Sequence, residues 1–296
     1  MAALPPAVAP VSDVLLPPVL PAGQLCTVTI QTFHHLGNTA YENTAETVFE
    51  KIPLSTGGGG RVFRLGIRSF QQTNTGGLNQ LDEDMVKLKE ELVVETDEAG
   101  RLHRVLNKSQ LKQKFQELRP SLLRKYTNAN VPFITPAIIN NLGQVLEGDG
   151  YLEDVLNTSP EYALLFPGLY GRAYTATPEP LGPRLIPRIL GNVDLPLLLA
   201  ASRPESVPED VAYGVYLTGR IDETEFRADD LQQALRTVTD QFDLEVTLKA
   251  QHQESYEFDN RRELLYGARL TDYRVAGVFS TQVVSTLKTD VLSSIQ

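Results

Sequence analysis

Few residues in this sequence have the types and the spacing that chemistry requires. The chain holds four histidines and a single cysteine, Cys26. No two histidines have the spacing of a zinc site, and one cysteine can form neither an intrachain disulfide nor a thiolate metal cluster. We therefore expect no metal site, and we expect Cys26, in a strand-like stretch, to be a small buried residue. The histidines are His34, His35, His103 and His252.

Neither the acidic runs nor the glycine-rich stretch indicates a calcium site or a phosphate-binding site. Residues 147–154 place carboxylates around two glycines but lack the alternating oxygen ligands of a calcium loop. The four glycines at 57–60 precede Arg61 and a strand-like stretch, whereas a phosphate-binding loop continues with lysine and a helix. We therefore expect no cofactor. A hydrolase site would have to combine distant residues, such as His103 or His252 with a carboxylate.

Basic residues concentrate on one predicted helix that begins after Asn107. Its apolar residues recur in steps of four, three and four, which is typical of an amphipathic helix. Asn107 with Gln110 resembles a capping box, and Pro120 predicts a kink because it lacks an amide hydrogen. The basic face is either a solvated surface or a site for an anion or a protein partner. The candidate partner-binding residues are Lys108, Lys112, Lys114 and Arg119.

The net charge bounds the possible partners. The chain carries a formal charge of −10, and such a protein repels a phosphate backbone, so we expect no nucleic-acid partner. No stretch reaches the roughly 18 apolar residues of a membrane span. The start of the chain has several prolines and no lysine or arginine, unlike a signal peptide. We therefore expect a cytoplasmic protein.

Residues 1–23 are rich in proline, which disfavours both helix and sheet. We expect an extended, polyproline-like tail. It is either a poorly ordered arm or a segment that docks on a protein partner or on a second copy of the chain.

Alternating apolar and polar residues predict strands in both the first and the last thirds of the chain. Early strands are predicted at 24–33 and 62–70, and a hairpin at 91–106 turns at the Asp and Gly of 97–100. Later strands are predicted from 213 to 221 and in a three-stranded meander after 243. A helix at 226–242 interrupts them.

The middle of the chain predicts helices. Thr135 followed by a proline is typical of a helix start, and Ser159–Pro160 begins another short helix. Residues 171–210 carry many prolines and little periodicity, so we expect a long irregular connection whose apolar part, 195–201, packs on the core.

The chain resembles other proteins in two segments, TDEAGRLHRVLNKSQLKQKF and SPEYALLFPGLYG. A strand with an acidic turn, a second strand, an Asn-Lys-x-x-Leu sequence and an aromatic-bearing helix recur in bacterial proteins of unknown function. Residues 61–170 resemble those proteins. The resemblance implies only that this part of the chain shares the fold of those proteins. It implies no activity and no site residues.

Together these patterns predict one α+β protein. A curved antiparallel sheet is built from N- and C-terminal strands and carries a central helical layer. The expected organisation is a tail at 1–23 and one domain at 24–296. Within that domain we expect a β-rich part at 24–106, helices at 107–170, the connection at 171–210, and a β-meander with one helix at 211–296.

Three functions remain open at this stage. The first is a non-enzymatic protein-binding or assembly component, since no reaction centre is visible. The second is a carrier of an apolar small molecule or lipid, because a curved sheet covered by helices can enclose a cavity of several hundred Å³. The third is the hydrolase described above. Candidate lining residues for the carrier are Leu142, Val145, Leu164 and Phe166.

Overall fold

One 11-stranded antiparallel sheet dominates the computed structural model. The structure describes residues 14–19, 21–57, 60–129, 135–148, 150–239 and 247–292. The strands are β1 (Val14–Leu15), β2 (Gln24–Leu36), β3 (Thr39–Gly57), β4 (Gly60–Gln72), β5 (Glu91–Thr96), β6 (Leu102–Val105), β7 (Arg172–Ala173), β8 (Glu179–Leu190), β9 (Val193–Ser202), β10 (Tyr213–Ile221), β11 (Leu248–Phe258), β12 (Leu264–Val275) and β13 (Phe279–Val291). The helices are α1 (Leu78–Val86), α2 (Lys108–Ala129), α3 (Pro136–Glu147), α4 (Tyr151–Thr158), α5 (Pro160–Leu165) and α6 (Ala228–Thr239).

The sheet joins strands from both ends of the chain, in the order β6-β5-β4-β3-β2-β13-β12-β11-β10-β9-β8. Strand β13 lies between β2 and β12, so it connects two runs of strands that are each consecutive in sequence. The predicted α+β class with a sheet of N- and C-terminal strands is confirmed. The helical layer is smaller than the sheet.

The expected irregular connection at 171–210 is wrong. Most of it forms β8 and β9, an antiparallel hairpin, and the inward side chains of β9 alternate strictly with outward ones. The prolines on β8 are compatible with this because β8 is an edge strand, where a missing amide hydrogen breaks no ladder on the open side. Pro196 of β9 precedes the residues that pair with β10. Packing of the apolar stretch 195–201 on the core is confirmed.

The sheet curves until its two edges approach the same helix. Helix α4 contacts both β6 and β8, the strands at opposite ends of the order. On β6, the Glu153 carboxylate of α4 accepts a hydrogen bond from the Val105 amide at 2.8 Å, and the Asn157 amide donates to the Leu102 carbonyl at 2.9 Å. Helix α4 thus covers one edge, while prolines occupy the other.

The inner face of the curved sheet encloses helix α5. Its residues Tyr162, Leu164 and Leu165 are buried, and α5 contacts β2, β12 and β13 at the middle of the sheet. The contact depends on a glycine: a Cβ at Gly267 would lie 3.3 Å from a Leu164 methyl group. The Tyr256 ring is equally close, so a larger residue at this position would force these side chains to shift.

The predicted hairpin and the following helix are present as β5, β6 and α2. Asn107 does more than begin the helix. Its side-chain oxygen accepts from the Val93 amide at 2.9 Å and its side-chain amide donates to the Glu91 carbonyl at 3.1 Å. The side chain therefore joins α2 to β5 instead of capping the helix. Helix α2 continues through Pro120.

The described part of the tail lies on the chain itself. Strand β1 pairs with β7, Leu15 is fully buried, and the Arg61 guanidinium donates to the Pro18 carbonyl at 2.6 Å. Residues 1–13 lie outside the described part, so docking of the tail on a partner stays a prediction.

Candidate binding groove

A groove of about 400 Å³ lies between the inner face of the sheet and the helices α1 and α5. Strands β2, β3, β4 and β13 form its floor. The apolar lining residues are Ile30, Ala45, Phe49, Ile67, Phe70, Val86, Tyr162 and Val283.

The alternation of strand residues explains this lining, with one exception on β4. Ile67 and Phe70 both line the groove although they are three residues apart, a separation that places side chains on opposite faces of a regular strand. The ladder between β3 and β4 shifts register here: Phe49 pairs with Ile67, whereas Val48 pairs with Ser69. Arg68 is therefore an extra, bulged residue, and the bulge turns Phe70 inward.

Helix α5 fixes one wall of the groove. The ring of Tyr162 packs edge-on against Phe49, with centroids 5.8 Å apart. Burial raises the pKa of the Tyr162 hydroxyl, so it stays neutral. Since α5 is itself enclosed by the sheet, this wall is held in place by the core.

The outer margin of the groove is polar. The Tyr41 hydroxyl donates to the Asn79 side chain at 2.8 Å, and the Gln72 amide donates to the Asn79 carbonyl at 2.7 Å. These bonds tie α1 to β3 and β4. Asp82 lies at the same margin, where the packed surroundings raise the pKa of its carboxyl although Lys89 opposes the shift.

A cluster of charged side chains is buried elsewhere on the inner face, among β8, β11 and β12. Its centre is Glu254, whose side chain has 0% exposure. One carboxylate oxygen forms an ion pair with Arg184 and a 2.8 Å hydrogen bond with the Nε2 of His252. The other oxygen accepts from the Tyr256 hydroxyl at 2.8 Å. The Nε of Arg269 lies 3.7 Å from the first oxygen.

These contacts set the protonation states in the cluster. Burial alone would raise the pKa of Glu254, but Arg184, His252 and Arg269 outweigh it and hold that pKa far below its ordinary value. Burial lowers the pKa of His252 although Glu254 opposes the shift. At neutral pH the cluster therefore contains a carboxylate, two guanidiniums and a neutral imidazole.

The cluster includes the histidine and the carboxylate that a hydrolase would need. Both side chains of the pair His252–Glu254 have 0% exposure, so a substrate in solution does not reach them. His103 is exposed on β6. His252 and Glu254 lie two residues apart on β11 and share its inward face, and the sequence could not show which residues of distant strands meet them.

The structure pairs each basic residue of the predicted partner-binding face within the chain. Lys108 contacts the buried Glu153 at 2.7 Å, Lys112 lies 3.2 Å from Glu147, and Lys114 lies 3.9 Å from Glu90. Arg119 donates to the Asn140 side chain at 2.8 Å. Partner binding by this face stays a prediction.

The residues proposed to line a carrier cavity are in other places. Leu164 and Phe166 are buried core residues, and Leu142 and Val145 pack against that core; none of the four lines the groove. That part of the carrier hypothesis is wrong, because helix α5 fills the interior that these residues were expected to surround.

Cys26 is buried, as predicted. Burial raises the pKa of its thiol, which disfavours a nucleophilic role. In the described part of the chain, no group of three or more His, Cys, Asp or Glu side chains could hold a metal ion. Nor does that part contain a helix with the length and apolar character needed to cross a membrane.

Comparisons with known proteins show distant likenesses only. The sequence matches no protein-family model and no curated protein. Among solved structures, lipovitellin, from a study of its lipid–protein interactions, aligns with a TM-score of 0.43 and 8% identity over 93% of this chain and 26% of that chain. This chain thus spans about a quarter of lipovitellin's length.

Two bacterial structures align over most of both chains. A DUF1329 family protein from Desulfovibrio piger has a TM-score of 0.19 and 11% identity over 92% of this chain and 88% of that chain. A domain described as an outer membrane lipoprotein-sorting protein, from Vibrio parahaemolyticus, has a TM-score of 0.18 and 8% identity over 93% and 87%. At such values the likenesses establish neither a family nor a function.

Proposed function

We propose that this protein binds an apolar small molecule, such as a lipid, in the groove between the sheet and helices α1 and α5. The observation that supports the proposal is the groove itself: a volume of about 400 Å³ with a mostly apolar floor, in which Thr32, Asn43 and Thr47 are the polar residues of β2 and β3. Ligand sites are typically concave and mostly apolar, with volumes of about 300–1,000 Å³ and a few polar groups that fix orientation.

The accessibility of the floor also supports a ligand. Ile30, Ile67 and Val283 face the groove and are only partly buried, although neighbouring inward residues of the same sheet, such as Leu65, are fully buried. Covering apolar surface of this kind is favourable by about 25 cal/mol per Å². A ligand in the groove would complete the packing that the helices leave open.

Binding of Nile red, a neutral apolar dye, tests the proposal. The wild-type protein should bind the dye, and Ala45→Trp, which fills the groove from its floor, should weaken binding at least about tenfold through steric exclusion. Fluorescence titration measures both affinities.

Ala40→Trp is the matched control. Ala40 lies on the same strand β3 but is exposed outside the groove, so this variant should bind the dye as the wild type does. Absence of binding to the wild type, or equal binding by the wild type and Ala45→Trp, would overturn the proposal.

A further inference from the structure

Asn43 on the floor of the groove has an unpaired hydrogen-bond donor. Its side-chain oxygen accepts from the Asn74 backbone amide at 2.9 Å and from the Thr73 hydroxyl at 3.4 Å. Because a backbone amide can only donate, this bond fixes which end of the side chain is the oxygen and leaves the NH2 group free. The NH2 group has no partner among the described residues, although Asn43 is only 9% exposed and lines the groove. A buried donor without an acceptor is costly, and a ligand can supply that acceptor.

Thr32 supplies a second unpaired group beside the first. It lies directly opposite Asn43 in the ladder between β2 and β3, it is half-buried, and it also lines the groove. Side chains in such a pair have Cβ atoms about 5 Å apart. The Thr32 hydroxyl forms no hydrogen bond with a described residue. One acceptor in the groove can therefore receive hydrogen bonds from both side chains.

The charged residues that line the groove limit the kind of acceptor. They are Asp82, Glu161 and one cation, Lys89. Burial raises the pKa of the Asp82 carboxyl, and the charge of Glu161 adds to this shift although Lys89 opposes it. Both carboxylates would repel a further negative charge, and moving a carboxylate out of water without a cation beside it is costly. A neutral acceptor therefore fits the groove better than an anionic one.

We propose that the ligand of the groove carries a neutral carbonyl group, as in an ester or an amide of an apolar chain, whose oxygen accepts hydrogen bonds from the Asn43 NH2 group and the Thr32 hydroxyl. This inference rests on the proposed function and names the class of its ligand. A carbonyl oxygen has two lone pairs, so it can accept from both groups at once. The apolar chain covers the rest of the floor, which includes Phe49 and Val283.

Three probes separate the possible ligands of the wild-type protein. Diphenylhexatriene is a fluorescent hydrocarbon without an acceptor, methyl decanoate has an apolar chain with a neutral carbonyl, and decanoate has the same chain with a charge. We expect the first two to bind, and we expect methyl decanoate to bind at least about threefold more tightly than decanoate. Fluorescence titration measures the affinity for diphenylhexatriene, and its displacement measures the affinities for the other two.

Variants locate the carbonyl. Thr32→Val keeps the shape of the side chain without its hydroxyl and should weaken methyl decanoate binding about threefold, as one neutral hydrogen bond allows. Asn43→Asp keeps the oxygen that Asn74 and Thr73 contact but replaces the NH2 donor with an acceptor, so it should weaken this binding at least about tenfold. Both variants should bind diphenylhexatriene as the wild type does, which also shows that they are folded.

Thr29→Val is the matched control. Thr29 lies on the same strand as Thr32 and is half-buried too, but it does not line the groove. This variant should change the affinity for none of the three probes. If Asn43→Asp does not fold, Thr32→Val still tests the proposal because it removes a single hydroxyl.

The outcomes distinguish this inference from the proposed function. Unchanged binding of methyl decanoate by Thr32→Val, or an equal loss for this ester and for diphenylhexatriene, would overturn the carbonyl and leave the apolar carrier intact. Tighter binding of decanoate than of its methyl ester would overturn the neutral ligand. If diphenylhexatriene, methyl decanoate and Nile red all fail to bind, the proposed function itself fails.

Discussion

The same inner face of one sheet is used in two different ways. Under β2, β3 and β4 it forms a groove lined by apolar side chains together with uncharged polar ones such as Thr32, Asn43 and Thr47, and its charged residues, such as Asp82, lie on the helical side. Under β11 and β12 it carries charges out of contact with water, held by one another. The Asp82 side chain is exposed and has no fixed counter-charge, and its surroundings raise its pKa, whereas the fully buried Glu254 depends entirely on its partners. The consequence of removing a charge should therefore differ between the two regions in both size and sign.

The largest effect is expected for Glu254→Gln. The substitution keeps the shape of the side chain but leaves Arg184 and Arg269 buried without a counter-charge, so the free energy of unfolding should fall by about 3–5 kcal/mol. Urea unfolding at neutral pH, followed by circular dichroism, measures the change.

A second substitution tests whether the unpaired charge causes this loss of stability. Arg269→Gln in the Glu254→Gln background removes one of the unpaired charges and should recover part of the stability. Glu257→Gln, on the same strand with a partly exposed side chain, should change little. A loss below 1 kcal/mol for Glu254→Gln would show that the cluster behaves as a surface ion pair does.

A smaller effect is expected for pH through His252. Its pKa is lowered in the folded protein, so the unfolded chain binds more protons below about pH 6.5, and stability falls as the pH falls from there. One such group contributes at most about 1.4 kcal/mol per pH unit. Urea unfolding at pH 7 and pH 5.5 measures this slope, and His252→Gln should flatten it.

His34 is the control for this slope. Burial lowers the pKa of His34 as well, but the side chain is only half-buried and bonds to the Thr281 hydroxyl at 2.7 Å. His34→Gln should therefore remove less of the slope than His252→Gln. Identical slopes for the wild type and His252→Gln would contradict a neutral buried imidazole.

The smallest effect, with the opposite sign, is expected for Asp82→Asn. The raised pKa of this carboxyl means that its charged form is disfavoured in the folded protein. Removing the charge should leave stability at neutral pH unchanged or raise it by less than about 0.5 kcal/mol, since solvent screens an exposed side chain. Thermal unfolding detects a change of this size, and a clear loss of stability would remove the contrast with Glu254.

Much of the sheet could be predicted from alternation, because a period of two is a local signal. The strands around Ile30, Leu65 and Tyr216 are all visible in this way. The hairpin of β8 and β9 has no such signal: its prolines favour an irregular segment, and the stretch from Leu195 to Ala201 is apolar on both faces, so it predicts packing on the core without a period of two. Edge position, which makes the prolines acceptable, is a property of the whole sheet.

The groove and the ionic cluster could not be predicted, because both depend on residues that are remote in sequence. Phe49 and Tyr162, whose rings pack together in the groove, come from a strand and a helix that are far apart in the chain, and Arg184 reaches Glu254 across 70 residues. The inward facing of His252 and Glu254 follows from the strand pattern, but Arg269 and Ser285 become neighbours only through the register of β12 and β13. The bulge at Arg68 has no sequence signal of its own.

The central position of β13 determines how the sheet can assemble. Strands β2 to β6 and strands β8 to β12 each pair with near neighbours in sequence, so each group can form early, but they meet only through β13. Pairings between distant segments form slowly because a long loop must close first. During synthesis the two groups cannot join until residues 279–291 have left the ribosome. Until then the facing edge strands, β2 and β12, stay unpaired. A chain truncated before β13 would therefore lack the strand that joins the two groups, and a continuous sheet would no longer enclose α5.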